Sequence, residues 1–194
     1  MSDRMLLPIG HSLGVSADPA TGEPFHRVRV GPDVVRLPHD RFFVWALTHG
    51  APERVEGELW GPDEVLDAAV GVADPGGALA GLIEDGLVAS VVPGAPEALA
   101  FARTHQLRPL MLGLGNRPDD PETYEVGLPG EPLVRLGATL AHLYLWGHLR
   151  ANLWVACEAT GGVAEETPEL ILAATLESLH GLLGPNAAYL DRAA

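Results

Sequence analysis

The motif in this sequence that most clearly suggests catalysis is Gly10-His11-Ser12-Leu13-Gly14, which matches the G-x-S-x-G pattern of serine hydrolases. In those enzymes the serine lies on a sharp turn between a strand and a helix. Here Met5 to Ile9 can form the strand, but residues 15–19 (VSADP) cannot open a helix. We therefore expect a glycine-flanked strand end and assign no catalytic residue.

A second glycine-rich segment, Gly113-Leu114-Gly115-Asn116, follows an apolar stretch, as a dinucleotide-binding loop would. The next residues, 117–121 (RPDDP), forbid the helix whose N-terminus would hold the pyrophosphate. We expect a turn here. The nearby Asp119, Asp120 and Glu122 lack the regular spacing of a cation site, so they predict a solvated loop, and we expect neither a metal nor a cofactor.

A long helix is predicted from about Thr139 to Glu158. At helical spacing Tyr144, His148 and Asn152 share one face, which indicates a ligand pocket or an exposed helix surface. Cys157 falls on about the opposite side from His148, which excludes a Cys–His nucleophilic pair within the helix. His142 and His148 do not have the spacing of zinc-binding helices.

Composition excludes several classes of function. The 194 residues carry a net charge of −14, and all 12 basic side chains are arginines. Without lysine there can be no Schiff-base chemistry and no phosphate loop of the Walker type. An acidic chain is also poorly suited to neutralising nucleic acid phosphates. One cysteine permits no intrachain disulfide, and no apolar run is long enough for a signal peptide or a membrane span, so we expect a cytoplasmic protein.

The elements that must position any site point to an α+β fold. A hairpin is predicted from Phe25–Val30 and Val34–Leu37, followed by helices near residues 41–49, 62–70 and 77–86 and a strand over Leu87–Val92. After a connecting helix near 96–105, an apolar strand over residues 108–114, a hairpin (124–128 and 133–136) and further helices follow. We predict two tandem units of this type, at residues 1–94 and 95–194.

A short sequence echo supports the two units. Val35-Arg36-Leu37 precedes a helix that contains Trp45, and Val134-Arg135-Leu136 precedes one that contains Trp146. The order of hairpin, three helices and strand resembles a winged helix.

Three features of residues 25–92 carry a closer resemblance: the hairpin Val28–Leu37, the F-x-x-W of the first helix, and the Leu82–Val88 segment that leads from the third helix into the strand. Through them the segment is similar to peptide-recognition winged helices of modified-peptide biosynthesis, including pyrroloquinoline quinone biosynthesis. The resemblance implies that an extended peptide adds to a strand edge and is supported by the third helix. The residues it implicates are Val34, Val35, Arg36, Leu37, Leu79, Leu82 and Ile83. The second half and the strong negative charge depart from that family's pattern.

Three classes of function remain at this point. The leading hypothesis is a non-catalytic module that binds a protein or peptide partner. The first alternative is a transcriptional regulator that binds DNA as a homodimer, although the predicted third helix carries acids and no arginine. The second alternative is an enzyme of unknown type that uses His148, Asn152 and Glu158, or Ser12.

Overall fold

The computed structural model describes residues 4–51 and 59–193, and within them the chain is an α+β protein with several small antiparallel sheets. Its strands are β1 (Met5–Pro8), β2 (His11–Ala17), β3 (Pro24–Val30), β4 (Asp33–Leu37), β5 (Val88–Val91), β6 (His105–Pro109), β7 (Leu112–Asn116), β8 (Thr123–Leu128), β9 (Glu131–Gly137) and β10 (Ala188–Arg192). Its helices are α1 (His39–Leu47), α2 (Pro62–Ala68), α3 (Pro75–Glu84), α4 (Pro96–Thr104), α5 (Ala138–Trp146), α6 (Leu153–Ala164) and α7 (Pro168–Leu183). Within these ranges no helix combines the length and the apolar character needed to cross a bilayer.

The same order of elements occurs twice along the chain. In the N-terminal half β1 pairs with β5, and the meander β2-β3-β4 and the helices α1, α2 and α3 lie between them in sequence. In the C-terminal half β6 pairs with β10, and between them come the meander β7-β8-β9 and the helices α5, α6 and α7. Helix α4 connects the two halves.

Individual hydrogen bonds repeat at a spacing of 100 residues. The Leu87 N–H donates to the Leu82 carbonyl at 2.9 Å, and the Ala187 N–H donates to the Leu182 carbonyl at 2.9 Å. Each bond closes the turn that leads from the last helix of a half into its final strand. The residue before it adopts a left-handed backbone in both halves, as Gly86 (φ 67°) and as Asn186 (φ 54°). Glycine and asparagine are the residues that tolerate this conformation best.

The two halves are joined through backbone contacts and a shared apolar core. Ile9, which follows β1, forms a parallel bridge with Leu190 in β10. The Gly10 N–H donates to the Leu190 carbonyl at 2.7 Å, and the Gly31 N–H donates to Asp191 Oδ1 at 2.6 Å. Ile9 and Leu190 are fully buried in the core. The N-terminal meander is therefore attached to the C-terminal half as well as to its own half.

Two predictions about strands in the C-terminal half were wrong. The predicted strand over 108–114 is two strands, β6 and β7, which belong to different sheets. The glycine-rich segment Gly113–Asn116, for which we expected a turn, lies in β7, and its irregularity is a register shift between Gly113 and Gly115. The N-terminal meander has the same kind of shift between Ser12 and Val15.

The predicted long helix over 139–158 was also wrong, because it breaks after Trp146. A 3-10 turn at Gly147–Leu149 ends α5, and α6 begins after Asn152, whose side-chain oxygen accepts from the Val155 N–H at 2.9 Å. An asparagine in that role satisfies a donor that a continuous helix would have satisfied itself. The carbonyls of His148 and Arg150, freed by the break, accept hydrogen bonds from the Gln106 amide.

Candidate functional site

Ser12 lies within a strand and not on a nucleophile turn. It pairs with Val28 across the meander, and β2 continues without interruption to Ala17. The Ser12 hydroxyl accepts a hydrogen bond from the Gly14 N–H at 3.3 Å. No helix follows the serine to lower the pKa of its hydroxyl or to form an oxyanion hole, so the motif is a strand segment with a bulge, as the sequence predicted.

The acidic loop after β7 is occupied by its own hydrogen bonds. Arg117 donates two hydrogen bonds to the Asp119 carboxylate, and the Thr123 hydroxyl donates to Asp120 Oδ2 at 2.6 Å. The Arg117 guanidinium holds the pKa of Asp119 below its usual range. Across the described part of the chain, no group of His, Cys, Asp and Glu residues is arranged to hold a metal ion.

The predicted pocket residues Tyr144, His148 and Asn152 do not share a helix face, because the break separates them. Tyr144 is fully buried, and its hydroxyl lies 2.9 Å from the carbonyl oxygens of Met111 and Ala187. Asn152 caps α6. Burial raises the pKa of Tyr144. Tyr144 and Asn152 thus hold elements together, and they do not face an open ligand cavity.

Cys157 is fully buried in the core, and its burial raises the pKa of the thiol to about 12. A thiol with such a pKa is protonated at neutral pH and is a poor nucleophile. The side chain therefore acts as a small apolar filler of the core.

The residues implicated by the family resemblance fall into two groups. Leu37, Leu79 and Leu82 belong to the core, with exposures of 1%, 6% and 0%, so a bound peptide cannot reach them. Val34 and Ile83 keep 50% and 39% exposure. Val35 and Arg36 lie between Val34 and Leu37 on β4, an edge strand of its sheet. The edge is accessible, whereas most of the expected floor of the groove is not.

The arginines of the N-terminal meander and first helix are each engaged. Arg27 donates to the Leu13 carbonyl at 3.1 Å, and Arg29 donates to the Tyr189 hydroxyl. Arg36 lies 3.8 Å from Asp18 and over the Phe25 ring. This surface does not present a set of free guanidinium groups to a phosphate backbone.

The C-terminal half contains a groove between a strand edge and a helix, the arrangement that was expected in the N-terminal half. A cavity of about 910 Å³ lies between β9 and α7. The strand side is lined by Leu133 to Gly137, and β9 is the outer strand of its sheet. The helix side presents Ala174, Glu177, Ser178 and Gly181, all exposed. An edge strand and a helix with small side chains thus border one open channel.

A buried hydroxyl lines this groove without a partner. Thr175 is only 3% exposed, and its hydroxyl makes no hydrogen bond to any residue that the structure describes. By contrast, the neighbouring Ser178 hydroxyl donates to the Ala174 carbonyl at 2.9 Å. The Thr175 hydroxyl is therefore available for a hydrogen bond with an occupant of the groove.

The C-terminal end of α7 is fixed relative to the N-terminal half through His180. Its Nε2 lies 2.8 Å from the Leu6 carbonyl oxygen in β1, and its ring lies 3.5 Å from the position that a Cβ on Gly50 would take. His180 is 3% exposed. The wall of the groove is therefore preformed and rigidly held, which lowers the conformational cost of binding.

The matching place in the N-terminal half is closed by an ion pair. Arg41, the third residue of α1, donates to Asp85 at 2.8 Å, and its Nη2 atom lies 3.4 Å from the position that a Cβ on Gly81 would take. In the C-terminal half the third residue of α5 is Leu140, and a Cβ on Gly181 would meet no atom within 4 Å. The guanidinium thus covers the surface that the C-terminal half leaves open.

No protein-family model, curated protein or solved structure matches this chain. The sequence echo at Val134-Arg135-Leu136 was the signal that marked its strand, but nothing in that echo separated the open groove from the closed one.

Proposed function

We propose that this protein is a non-catalytic accessory module of two winged-helix-like units, which binds an extended polypeptide segment in the groove between β9 and α7. The observation that carries the proposal is that an unpaired strand edge and an open channel of about 910 Å³ lie side by side there. An extended segment added to such an edge gains main-chain hydrogen bonds, and the channel beside it receives alternate side chains.

The charge of the groove favours a neutral or basic segment. Glu177 lines the channel and makes no ion pair with any described residue, whereas Arg135 on the opposite wall lies 3.7 Å from Glu125. The whole chain carries a net charge of −14. The net negative charge repels an acidic partner at long range, and the Glu177 carboxylate repels it within the groove.

The test is a selection of random unstructured peptides displayed on phage against the full chain, followed by calorimetry on the enriched peptides. Gly181→Leu places a side chain in the channel, and Gly162→Leu makes the same change on an exposed site of α6. A Cβ meets no atom within 4 Å at either glycine, so both variants should fold.

We expect enriched peptides to lose at least about tenfold in affinity on Gly181→Leu and to bind Gly162→Leu as they bind the wild type. Equal binding by Gly181→Leu, or no enrichment at all, would contradict the proposal. A labelled DNA duplex at low ionic strength is the companion probe, and a salt-sensitive shift would favour the DNA-binding alternative instead.

A further inference from the structure

We propose that a second cavity, between α5 and α6, binds a neutral aromatic ring that carries one hydrogen-bonding group. Its volume is about 360 Å³. The residues that define it are Tyr124 from β8, His142, Leu145 and Trp146 from α5, and Thr160 and Val163 from α6. A cavity of this size lies at the lower end of the roughly 300–1,000 Å³ found for ligand pockets, which suits a single ring and excludes a nucleotide.

The walls of this ring pocket determine the chemistry of its occupant. Among the described residues that line it there is no arginine and no carboxylate, so no permanently charged side chain faces the occupant, and His142 is the one basic group. Most of the lining is aliphatic or aromatic. Trp146 and Val163, which lie at the rim, are 54% and 67% exposed. Large apolar side chains left open to water beside a cavity favour a partner that covers them.

Thr160 is the most buried of the polar side chains in the ring pocket, because Tyr124, Thr139 and His142 are partly exposed and can bond water. Thr160 is only 2% exposed, and its hydroxyl makes no hydrogen bond to any described residue. Thr104 and Ser178, by contrast, donate from their helices to the carbonyls of Ala100 and Ala174. Because water reaches the Thr160 hydroxyl least, a ring with one polar substituent can pair it, whereas a purely apolar occupant would leave it unpaired.

The ring pocket adjoins the groove. Ala138 and Thr139, at the start of α5, line both cavities. A phenol-like ring can therefore come from a tyrosine side chain of the polypeptide in the groove or from a free small molecule. The recognition chemistry is the same for both sources, and binding of a free ring does not require the proposed function to hold.

The test uses p-cresol and toluene as probes, which differ only in the hydroxyl group. Binding is followed by NMR through the Thr160 methyl and Trp146 indole signals of the full chain, assigned with Thr160→Val and Trp146→Phe variants. We expect saturable binding of p-cresol that weakens about tenfold in Thr160→Val and recovers in Thr160→Ser. Toluene offers the Thr160 hydroxyl no partner, so it should bind Thr160→Val at least as tightly as the wild type. The matched control is Thr175→Val, which removes the corresponding hydroxyl of the groove and should leave p-cresol binding unchanged.

Two outcomes would overturn this proposal: an absence of saturable shifts at the pocket signals, or p-cresol affinity that is the same in wild type and Thr160→Val. A peptide selected for the groove then identifies the source of the ring. Displacement of p-cresol by that peptide, lost when its aromatic residue is changed to alanine, assigns the ring to the polypeptide. Simultaneous binding of both assigns it to a free compound. Failure of peptide selection alone leaves the p-cresol result intact, so the two proposals fail separately.

Discussion

Arg41 donates a hydrogen bond of 2.8 Å to Asp85 in the N-terminal half, at the place where the C-terminal half has an open groove. The two halves share their element order and several hydrogen bonds, so this ion pair is a local difference between otherwise matching structures. It leaves the edge strand β4 accessible but covers the helix surface that a bound segment would use. In the part of the chain that the structure describes, β4 and β9 are thus corresponding strand edges, and the open groove lies beside β9.

Arg41→Leu gives the N-terminal half the residue that the C-terminal half has at this position. Because the pair is partly exposed, its loss should cost at most about 1 kcal/mol in the free energy of unfolding. If the guanidinium is what closes the surface, a groove-selected peptide should bind this variant with a stoichiometry above one by calorimetry. Arg36→Leu, which removes an exposed arginine from β4 itself, is the control and should keep one site. A stoichiometry of one in both variants would contradict this interpretation.

The hydrogen bonds of Tyr144 give a prediction about stability. Its hydroxyl lies 2.9 Å from the carbonyls of Met111 and Ala187 and accepts from the Met111 N–H at 3.2 Å. Tyr144→Phe leaves buried backbone groups without a partner and should reduce the free energy of unfolding by about 1–3 kcal/mol in urea titrations. Tyr124→Phe is the control, since its hydroxyl makes no hydrogen bond to a described residue, and should change stability by less than about 0.5 kcal/mol. Equal losses would show that the Tyr144 hydroxyl contributes nothing specific.

Local patterns were sufficient to predict the hairpins and most helices. Alternation in Phe25–Val30 and a proline–aspartate entrance before α1 are short-range signals, and β3, β4 and α1 form where those signals place them. Strand β10 was missed because its sequence, AYLDR, does not alternate clearly, and its stability comes from pairing with β6 about 80 residues earlier in the chain. Non-local pairing of this kind leaves no periodic trace in the sequence.

The groove could be predicted only in part. The sequence predicts a peptide site at the hairpin edge of the N-terminal half, with support from leucines on α3, whereas the groove proposed above lies in the C-terminal half. Leu79 and Leu82 are core residues. In an alanine- and leucine-rich chain the inner and outer faces of a helix have similar compositions, so residue spacing does not show which face is buried. Which groove is open depends on where the Arg41 side chain lies, and spacing along the chain does not reveal that.

Replacing Gly10 tests whether the close approach of the backbone requires glycine at the start of the serine motif. Its backbone has φ of 100°, and a Cβ placed there would lie 2.5 Å from the Arg29 carbonyl oxygen. Gly10→Ala should therefore cost about 3 kcal/mol or more, because backbone strain and a clash with backbone atoms add together. Gly14 also has a positive φ (82°), but a Cβ there meets no atom within 4 Å. Gly14→Ala should cost only about 1 kcal/mol. Thermal or urea unfolding of both variants measures the difference, and similar costs would contradict the role assigned to the close approach.

His49 gives the stability of the protein a dependence on pH. It follows α1, its ring packs edge-on against Trp45 at 4.6 Å, and its Nδ1 lies 3.0 Å from the Ala46 carbonyl oxygen. Burial lowers the pKa of the imidazole from 6.5 to about 4. In the unfolded chain the pKa returns to its ordinary value, so between these two values the unfolded state binds more protons than the native state. The stabilisation from neutral His49 is thus complete above pH 6.5 and is lost as the pH falls towards 4.

His49→Phe keeps an aromatic ring beside Trp45 and removes the titration. At pH 7.5 the variant should be less stable than the wild type, because the hydrogen bond to Ala46 is lost. Between pH 7.5 and 4.5, however, the wild type should lose about 1–2 kcal/mol more of its free energy of unfolding than the variant does. This is less than the full shift would give, because the ring keeps partial contact with water. Urea titrations of both proteins at the two pH values measure the difference. Burial also lowers the pKa values of His11, His26 and His105. These histidines are present in both proteins, so the comparison reports the contribution of His49 alone. Parallel losses in the two proteins would mean that protonation of His49 does not oppose folding.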